Sequence, residues 1–167
     1  MITKIFDIEK NKIVLNHHVM AIEPLYNLYQ KNNGVKYLLY CYYLTNPYPD
    51  ENPFALIPHH EKETKIKRYL NIQIKDDVLP LVKEAINFFN SIYETPIIRF
   101  HTSIKNKIDD ISQYLQNTKV NDKNIRDILN TIKAYRDIID PYKLTLKEVM
   151  EERDAKIKAN INRPYDQ

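Results

Sequence analysis

A single glycine in 167 residues is the feature that most restricts what this chain can fold into. Glycine takes up positive φ angles without a steric penalty and lets a ligand approach the backbone closely. Phosphate-binding loops, dinucleotide-binding fingerprints and nucleophile elbows each need several glycines for that reason. With Gly34 alone, the chain lacks these sites. What remains is a set of amphipathic helices joined by Pro, Asn and Asp.

Composition and charge indicate a globular chain with one sizeable core. The content of 43% hydrophobic and 28% charged residues is typical of folded domains. The net charge of +3 is too small to predict a nucleic-acid-binding surface by itself. Cys41 has no second cysteine to pair with, which fits a reducing compartment. The charged N-terminal segment and the lack of a long apolar stretch predict neither a signal peptide nor a membrane span.

The first 20 residues are predicted to form a short β-hairpin or extended arm. Residues 2–7 and 12–16 are short, rich in β-branched residues and roughly alternating. An isolated two-stranded ribbon is only marginally stable in water, so the helical body or a neighbouring chain must hold it. Its open edges could also accept another strand. The interface residues expected here are Ile5, Phe6, Ile13 and Val14.

A first helix is expected to begin near Pro24 and to end at Asn32-Asn33-Gly34, with Gly34 as the left-handed terminal residue. Residues 35–44 follow as a second helix, and a strand is the alternative because tyrosine favours sheets. We favour a helix because no partner strands lie nearby in sequence. The four tyrosines of this segment would point in every direction around a helix, so some must contact a partner or the next loop.

Residues 46–58 contain four prolines and are predicted to form a loop. Several of its residues are apolar, so we expect a well-packed loop rather than a flexible linker. A loop of this length is often functional. The residues expected at a protein interface in and beside it are Tyr42, Tyr43, Tyr48, Phe54, Leu56 and Ile57.

Two further helices are expected after this loop, one from Pro58 to about Leu70 and one over residues 78–93. Acidic residues near the start and basic residues near the end of the first complement the helix dipole. Asp76-Asp77 are expected to cap the second helix. Its apolar stripe is Val78, Val82, Ala85, Phe89 and Ile92.

The clearest pattern lies beyond Thr95-Pro96, where apolar residues recur every three or four positions to residue 117. The stripe is Ile97, Phe100 (or His101), Ile104, Ile108, Ile111 and Leu115. A second stripe, Ile125, Ile128, Ile132, Tyr135 and Ile139, follows a short polar turn, so the two helices should form an antiparallel hairpin. Asp140-Pro141 is expected to stop the second helix. A last helix could span residues 143–160, and residues 152–167 are expected to be a charged tail that is ordered only by a partner.

No group of residues predicts catalysis. The adjacent pairs His17-His18 and His59-His60 point in different directions and are poorly placed to chelate one ion. His101 and Cys41 lie in apolar surroundings, where a satisfied core histidine and an inert thiol are the expected roles. We therefore expect a non-enzyme with no cofactor and no metal.

A basic cluster near the end of the third helix has two interpretations. Its members are Lys62, Lys65, Lys67 and Arg68. We favour a solvated helix end over a DNA-facing surface. In the alternative, the cations contact phosphate and Tyr69 stacks on a base.

Three segments carry a resemblance to a known class of proteins. They read KIFDIEKNKIVLN, YLLYCYYLTNPYPDENPFALIPHHEKETKI and IYETPIIRF. This pattern resembles small structural proteins of tailed phages, in particular of the crAss-like group, over roughly residues 2–140. The loop is longer and richer in proline than in that group, and the C-terminal tail has no counterpart there.

The resemblance implies a virion protein at the portal vertex, as a head-to-tail connector or tail-barrel ring subunit assembled in the host cytoplasm. Its partners would be copies of itself, the portal or neighbouring tail proteins, and DNA passing through the lumen. Two alternatives remain, a small intracellular binding or regulatory protein and a DNA-packaging accessory protein.

The predicted fold is mainly α, a helical bundle with a long antiparallel αα-hairpin and a short N-terminal β-hairpin or extended arm. The expected divisions are an arm over residues 1–20, a helical domain over 21–145 and a charged end over 146–167.

Overall fold

A computed structural model of the protein describes residues 6–9, 12–16 and 21–161. The chain divides between Glu94 and Thr95, and the second unit runs from Thr95 to Ala159. This division differs from the single helical domain expected over residues 21–145. The mainly α-helical fold is confirmed.

Helix α2, over Gly34–Thr45, is the central element of the first unit. Five consecutive residues in its middle, Tyr37 to Cys41, are buried. A helix that is apolar on all sides is stable only when other elements surround it. Three helices do so: α1 (Glu23–Tyr29), α3 (His59–Leu70) and α4 (Leu79–Tyr93). The helical interpretation of this segment is therefore confirmed, and the strand alternative is wrong.

The core of the first unit combines α2 with one apolar stripe from each neighbouring helix. The stripe expected on α4 is confirmed, because Val82, Ala85 and Phe89 are fully buried.

Cys41 has a completely buried side chain, and burial raises the pKa of its thiol to about 12. A thiol with such a pKa stays protonated at neutral pH, so Cys41 acts as a small apolar core residue.

The expected left-handed residue between α1 and α2 is displaced by one position. Asn33 takes the positive φ angle, 64°, and Gly34 begins α2 without one. Gly34 is required for a different reason. A Cβ atom there would lie 2.7 Å from the carbonyl oxygen of Leu28 and 2.6 Å from the carbonyl carbon of Tyr29. The absent side chain lets the two helices approach each other closely.

Helix α4 begins where the sequence predicts, but its capping residue differs from the prediction. Its N-terminal capping residue is Val78 and no side chain caps the helix, so the expected capping by Asp76-Asp77 is wrong. Val78 is 5% exposed and begins the buried stripe. Burial of this side chain therefore decides where the helix starts. Pro80 lies in the first turn, as expected.

Strands β1 (Phe6–Glu9) and β2 (Lys12–Leu15) pair in antiparallel register, with Phe6 opposite Leu15 and Glu9 opposite Lys12. The helical body holds this ribbon. The ring of Phe6 lies edge-on to that of Tyr42, with 5.3 Å between ring centroids. The expected interface residue Ile5 lies outside the described residues.

The second unit is the expected antiparallel hairpin of α5 (Pro96–Asn117) and α6 (Ile125–Ile161). Thr95 caps α5 and its hydroxyl also donates to Oε2 of Glu152 at 2.8 Å. His101 meets Thr145 across the hairpin at 2.9 Å. Contacts between an early position of α5 and a late position of α6 establish the antiparallel direction.

Helix α6 continues through Pro141, so the prediction that Asp140-Pro141 stops it is wrong. An internal proline costs about 3 kcal/mol, because it removes one backbone hydrogen bond and crowds the preceding turn. Packing of the helix after the proline offsets this cost, since Tyr142 stacks on His101 and Val149 is fully buried. Residues 152–161 are helical, which agrees with the last helix expected over residues 143–160 rather than with a tail beginning at residue 152.

Of the two candidates for the inward face of α5, the structure selects His101, which is 4% exposed, over Phe100, which is 56% exposed. In the described part of the chain, none of the helices combines the length and the apolar character needed to cross a bilayer.

Candidate interaction surfaces

The loop over residues 46–58 is built from two similar turns. In Asn46-Pro47-Tyr48 and again in Asn52-Pro53-Phe54, the asparagine side-chain oxygen accepts a hydrogen bond from the backbone N–H two residues later, at 2.8 and 3.0 Å. This Asx geometry suits an asparagine before a proline, because the proline offers no N–H of its own. Both asparagines are buried, at 0% and 1% exposure. The expectation of a well-packed loop is therefore confirmed.

The same loop closes the C-terminal end of α2. The last carbonyls of a helix have no partner within it. The side-chain amide of Asn52 donates to the carbonyl oxygens of Tyr43 at 2.7 Å and Asn46 at 2.6 Å. Lys62 of α3 donates to the carbonyl oxygen of Leu44 at 2.8 Å. The loop is thus fixed to the central helix by hydrogen bonds rather than only by apolar packing.

Tyrosine and phenylalanine rings fill the space between the loop, α2 and α4. Tyr42 lies 6.2 Å from Phe89 and 6.5 Å from Tyr93, and Tyr48 lies 5.8 Å from Tyr93. Burial, followed by the nearby carboxylate of Glu51, raises the pKa of Tyr42. Burial also raises the pKa of Tyr93. These hydroxyls stay protonated at neutral pH, so the cluster is structural.

One edge of this cluster reaches the surface and forms what we call the aromatic surface, made of Tyr43, Phe54 and Tyr69. Phe54 lies 5.4 Å from each of the two tyrosine rings, and the tyrosines are 6.4 Å apart. Phe54 is 8% exposed, whereas Tyr69 is 66% exposed. A large ring supported from behind by two others presents contact area without the entropy cost of ordering a flexible side chain.

The expected interface residues therefore separate into three groups. Tyr48 and Phe54 are buried inside the first unit, so packing within that unit is enough to explain why both are apolar. Phe6, Tyr42, Tyr43 and Ile57 are half-buried, and Leu56 is 55% exposed. Ile13 and Val14 lie in β2, and their side chains are outside the described residues.

Three of the four cations of the basic cluster have partners within the chain. Lys65 pairs with Glu61 at 2.6 Å, Lys67 pairs with Glu63, and Lys62 binds the end of α2. Arg68 is exposed. Most of the positive charge is therefore compensated by groups of the chain itself, which favours the interpretation as a solvated helix end. The neighbouring Tyr69 belongs to the aromatic surface instead.

His59 and His60 are exposed at the start of α3, and their rings lie 5.6 Å apart at nearly a right angle. His17 and His18 lie outside the described residues. Among the residues the structure describes, no three His, Cys, Asp or Glu side chains converge in a way that could hold a metal ion.

His101 is the most buried ionisable group of the second unit. Its Nδ1 lies 2.9 Å from the hydroxyl of Thr145, and its ring stacks on Tyr142 with 5.0 Å between centroids. Burial, followed by the positive charge of Lys105, lowers the pKa of this imidazole below its ordinary value of 6.5. The ring is therefore neutral at physiological pH and acts as a packing element of the hairpin.

This burial predicts a pH dependence of stability. Because the folded state binds the proton less tightly than the unfolded state, stability is full above pH 6.5 and falls as the pH drops through 6.5 toward the lower folded pKa. The largest slope from one group is about 1.4 kcal/mol per pH unit. Urea unfolding of the wild type and of His101→Gln between pH 7.5 and 5 measures how the free energy of unfolding of each protein changes with pH. Parallel curves for the two proteins would contradict the assignment.

Sequence reasoning missed one exposed surface on α6. Ile125 and Ile132 were expected in the hairpin seam, yet they are 46% and 41% exposed, and Leu129 is 53% exposed. Only Ile128 of this turn is buried. The signal was present in the sequence, since Leu129 falls outside the predicted seam and shares one helix face with Ile125 and Ile132 at spacings of four and three residues.

Comparison with known proteins adds no family or structural relative, since no family model, curated protein or solved structure matches the chain.

Proposed function

We propose that this protein is a non-enzymatic structural subunit of a tailed-phage virion, part of an oligomeric ring at the portal, the head-to-tail connector or the tail barrel. The observation that carries the proposal is the number of large apolar side chains left exposed on both units. Tyr69 and Leu56 in the first unit and Phe100 and Leu129 in the second are each more than half exposed. Exposed apolar groups typically mark a surface that a partner covers when they lie together, as Tyr69 does with the rings of the aromatic surface and Leu129 does with the exposed isoleucines on the same face of α6. Three sequence segments resemble crAss-like phage structural proteins, and this resemblance is the reason for proposing a ring at the portal or tail.

The aromatic surface is suited to contact a neighbouring subunit. Its rings are held by the loop, and the loop is held by buried hydrogen bonds of Asn46 and Asn52. A surface that is already rigid loses little entropy on binding. A ring also needs two different complementary patches on each subunit, so that each copy binds the next by rotation. Phe100 of the second unit, which is 56% exposed, offers a separate contact for this purpose.

The alternative role as a DNA-packaging accessory protein receives less support. A DNA-binding surface needs cations that are free to displace counterions from phosphates. Lys62, Lys65 and Lys67 are instead engaged with groups of the chain itself.

The first test is quantitative mass spectrometry of gradient-purified virions of the phage that encodes the protein. We expect a copy number in a simple whole-number ratio to the portal protein. Absence from the particles, or an irregular trace amount, would overturn the structural role and favour the intracellular binding protein.

A second test asks whether the aromatic surface makes the contact. Tyr69→Ser should lower incorporation into particles by about tenfold or more, because truncating a central aromatic anchor typically costs that much binding. Tyr26→Ser is the matched control, since Tyr26 is an exposed tyrosine of the same unit outside the aromatic surface. Circular dichroism and thermal melting establish that both variants fold. Equal incorporation of the two variants would assign the contact to another surface.

A further inference from the structure

The exposed face of α6 has an uneven distribution of charge along its length. Residues 125–136 contain three basic residues and one acidic residue, whereas residues 137–154 contain six acidic and three basic residues. Both stretches belong to one continuous helix, because α6 runs through Pro141. We call the exposed side of this helix from Ile125 to Asp154 the α6 face.

The basic end of the α6 face is also its apolar end. Ile125, Leu129 and Ile132 are exposed there, and Arg126, Lys133 and Arg136 are exposed in the same stretch of the helix. In the part of the chain that the structure describes, these three cations form no ion pair with a carboxylate. A surface that combines aliphatic groups with unpaired cations is complementary to a partner that offers both apolar contact and negative charge.

The acidic end of the α6 face offers both apolar contact and negative charge. Leu144 is 59% exposed, and Asp140, Glu148 and Glu151 are exposed beside it. Lys143 and Lys147 approach Asp140 and Glu151 at 3.7 and 3.6 Å. Such exposed pairs contribute little stability and rearrange at low cost. The aliphatic stems of Lys143 and Lys147 can also cover apolar groups of a partner while their ammonium groups stay in water.

We propose that the α6 faces of two copies of this chain bind each other in antiparallel direction, about a two-fold axis near residue 138. In this arrangement the basic, apolar end of each copy lies on the acidic end of the other. Arg126 of each copy comes level with Glu151 of the other, and Arg136 comes level with Asp140. Every favourable contact occurs twice, which is the property of a two-fold interface.

A lipid surface or a nucleic acid fits the α6 face less well than a second copy. Both carry negative charge along their whole length, so the acidic stretch over residues 137–154 would be repelled. The face is also aliphatic where it is apolar, whereas single-stranded nucleic acid is held by stacking on aromatic rings. A second copy is complementary over both halves at once. The proposal concerns this helix alone and does not depend on the virion role.

The decisive experiment is sedimentation equilibrium of the full chain at micromolar concentrations with paired charge reversals. Residues 126 and 151 are 25 positions apart on one helix, so a single copy cannot bring them into contact. Arg126→Glu alone and Glu151→Arg alone should each weaken dimerisation by about tenfold, and the double variant should recover most of the wild-type affinity. Recovery is the result specific to the antiparallel pairing.

An apolar substitution and its control complete the test. Leu129→Glu should abolish the dimer, whereas Leu56→Glu, at an equally exposed leucine of the first unit, should leave it intact. A wild-type chain that stays monomeric overturns the proposal. A dimer that the double reversal fails to restore overturns the antiparallel pairing. A monomeric chain that binds anionic vesicles or DNA through Leu129 and Arg126 assigns the α6 face to that partner instead. Mass spectrometry of virions is unaffected by these outcomes, so the two proposals fail separately.

Discussion

Gly34→Ala is expected to destabilise the protein by about 3 kcal/mol or more, because it forces a side chain into a closely packed site. The added methyl group would lie 2.7 Å from the carbonyl oxygen of Leu28 and 2.6 Å from the carbonyl carbon of Tyr29. Both are backbone atoms of the last two residues of α1, so they cannot move aside as a flexible side chain could. Leu28 itself is fully buried, which fixes the position of α1 against the core. Urea unfolding followed by circular dichroism measures the loss.

The neighbouring position supplies the control. Asn33 has a φ angle of 64°, which glycine adopts freely, so Asn33→Gly should change stability by less than about 0.5 kcal/mol. Asn33→Val should cost roughly 1–2 kcal/mol, since a β-branched residue disfavours this conformation. If Gly34→Ala were as mild as Asn33→Gly, the close approach of the two helices at Gly34 would be wrong.

Asn52→Ala is expected to cost about 4 kcal/mol, because it leaves three buried backbone groups without a partner, each worth about 1–3 kcal/mol. The groups are the carbonyls of Tyr43 and Asn46 and the N–H of Phe54. Asn52 is 1% exposed, so water cannot readily replace its hydrogen bonds. The midpoint of urea unfolding should fall accordingly. Asn90→Ala, at an exposed position of α4, is the control and should lie within about 0.5 kcal/mol of the wild type.

Asn52→Asp separates the loss of hydrogen bonds from the loss of volume. An aspartate keeps the shape but places a carboxylate against two carbonyl oxygens, so at neutral pH it should destabilise at least as much as alanine. On acidification the protonated carboxyl can donate to one of these carbonyls, and the difference from the wild type at the same pH should shrink. An Asn52→Asp protein as stable as the wild type at pH 7 would show that the buried amide does not cap α2.

Much of the fold could be predicted from the sequence because helices and turns are signalled locally. Apolar residues at spacings of three and four identified α4 and α5, and prolines identified the start of α4 and the loop over residues 46–58. The sequence favours a helix over a strand for α2 because no partner strands lie nearby. The structure shows the physical reason for the helix, since residues on all sides of it are buried by the surrounding helices. Of the candidate surface, the sequence predicts Tyr43 and Phe54 as interface residues, but their contact with each other and the exposure of each ring depend on the tertiary structure.

The remaining features depend on contacts between residues far apart in sequence. Asn33 rather than Gly34 takes the positive φ angle, and the absent side chain of Gly34 is needed instead where α1 and α2 meet. Helix α6 continues through Pro141 because Tyr142 and Thr145 pack on His101 of α5, which offsets the local cost of the proline. The sequence by itself determined where most helices lie, since periodicity and turn chemistry are local properties, but it did not determine that α6 continues through Pro141. Only the tertiary structure decided which apolar residues are buried and which stay exposed on α6, because burial depends on what the rest of the chain places against each face.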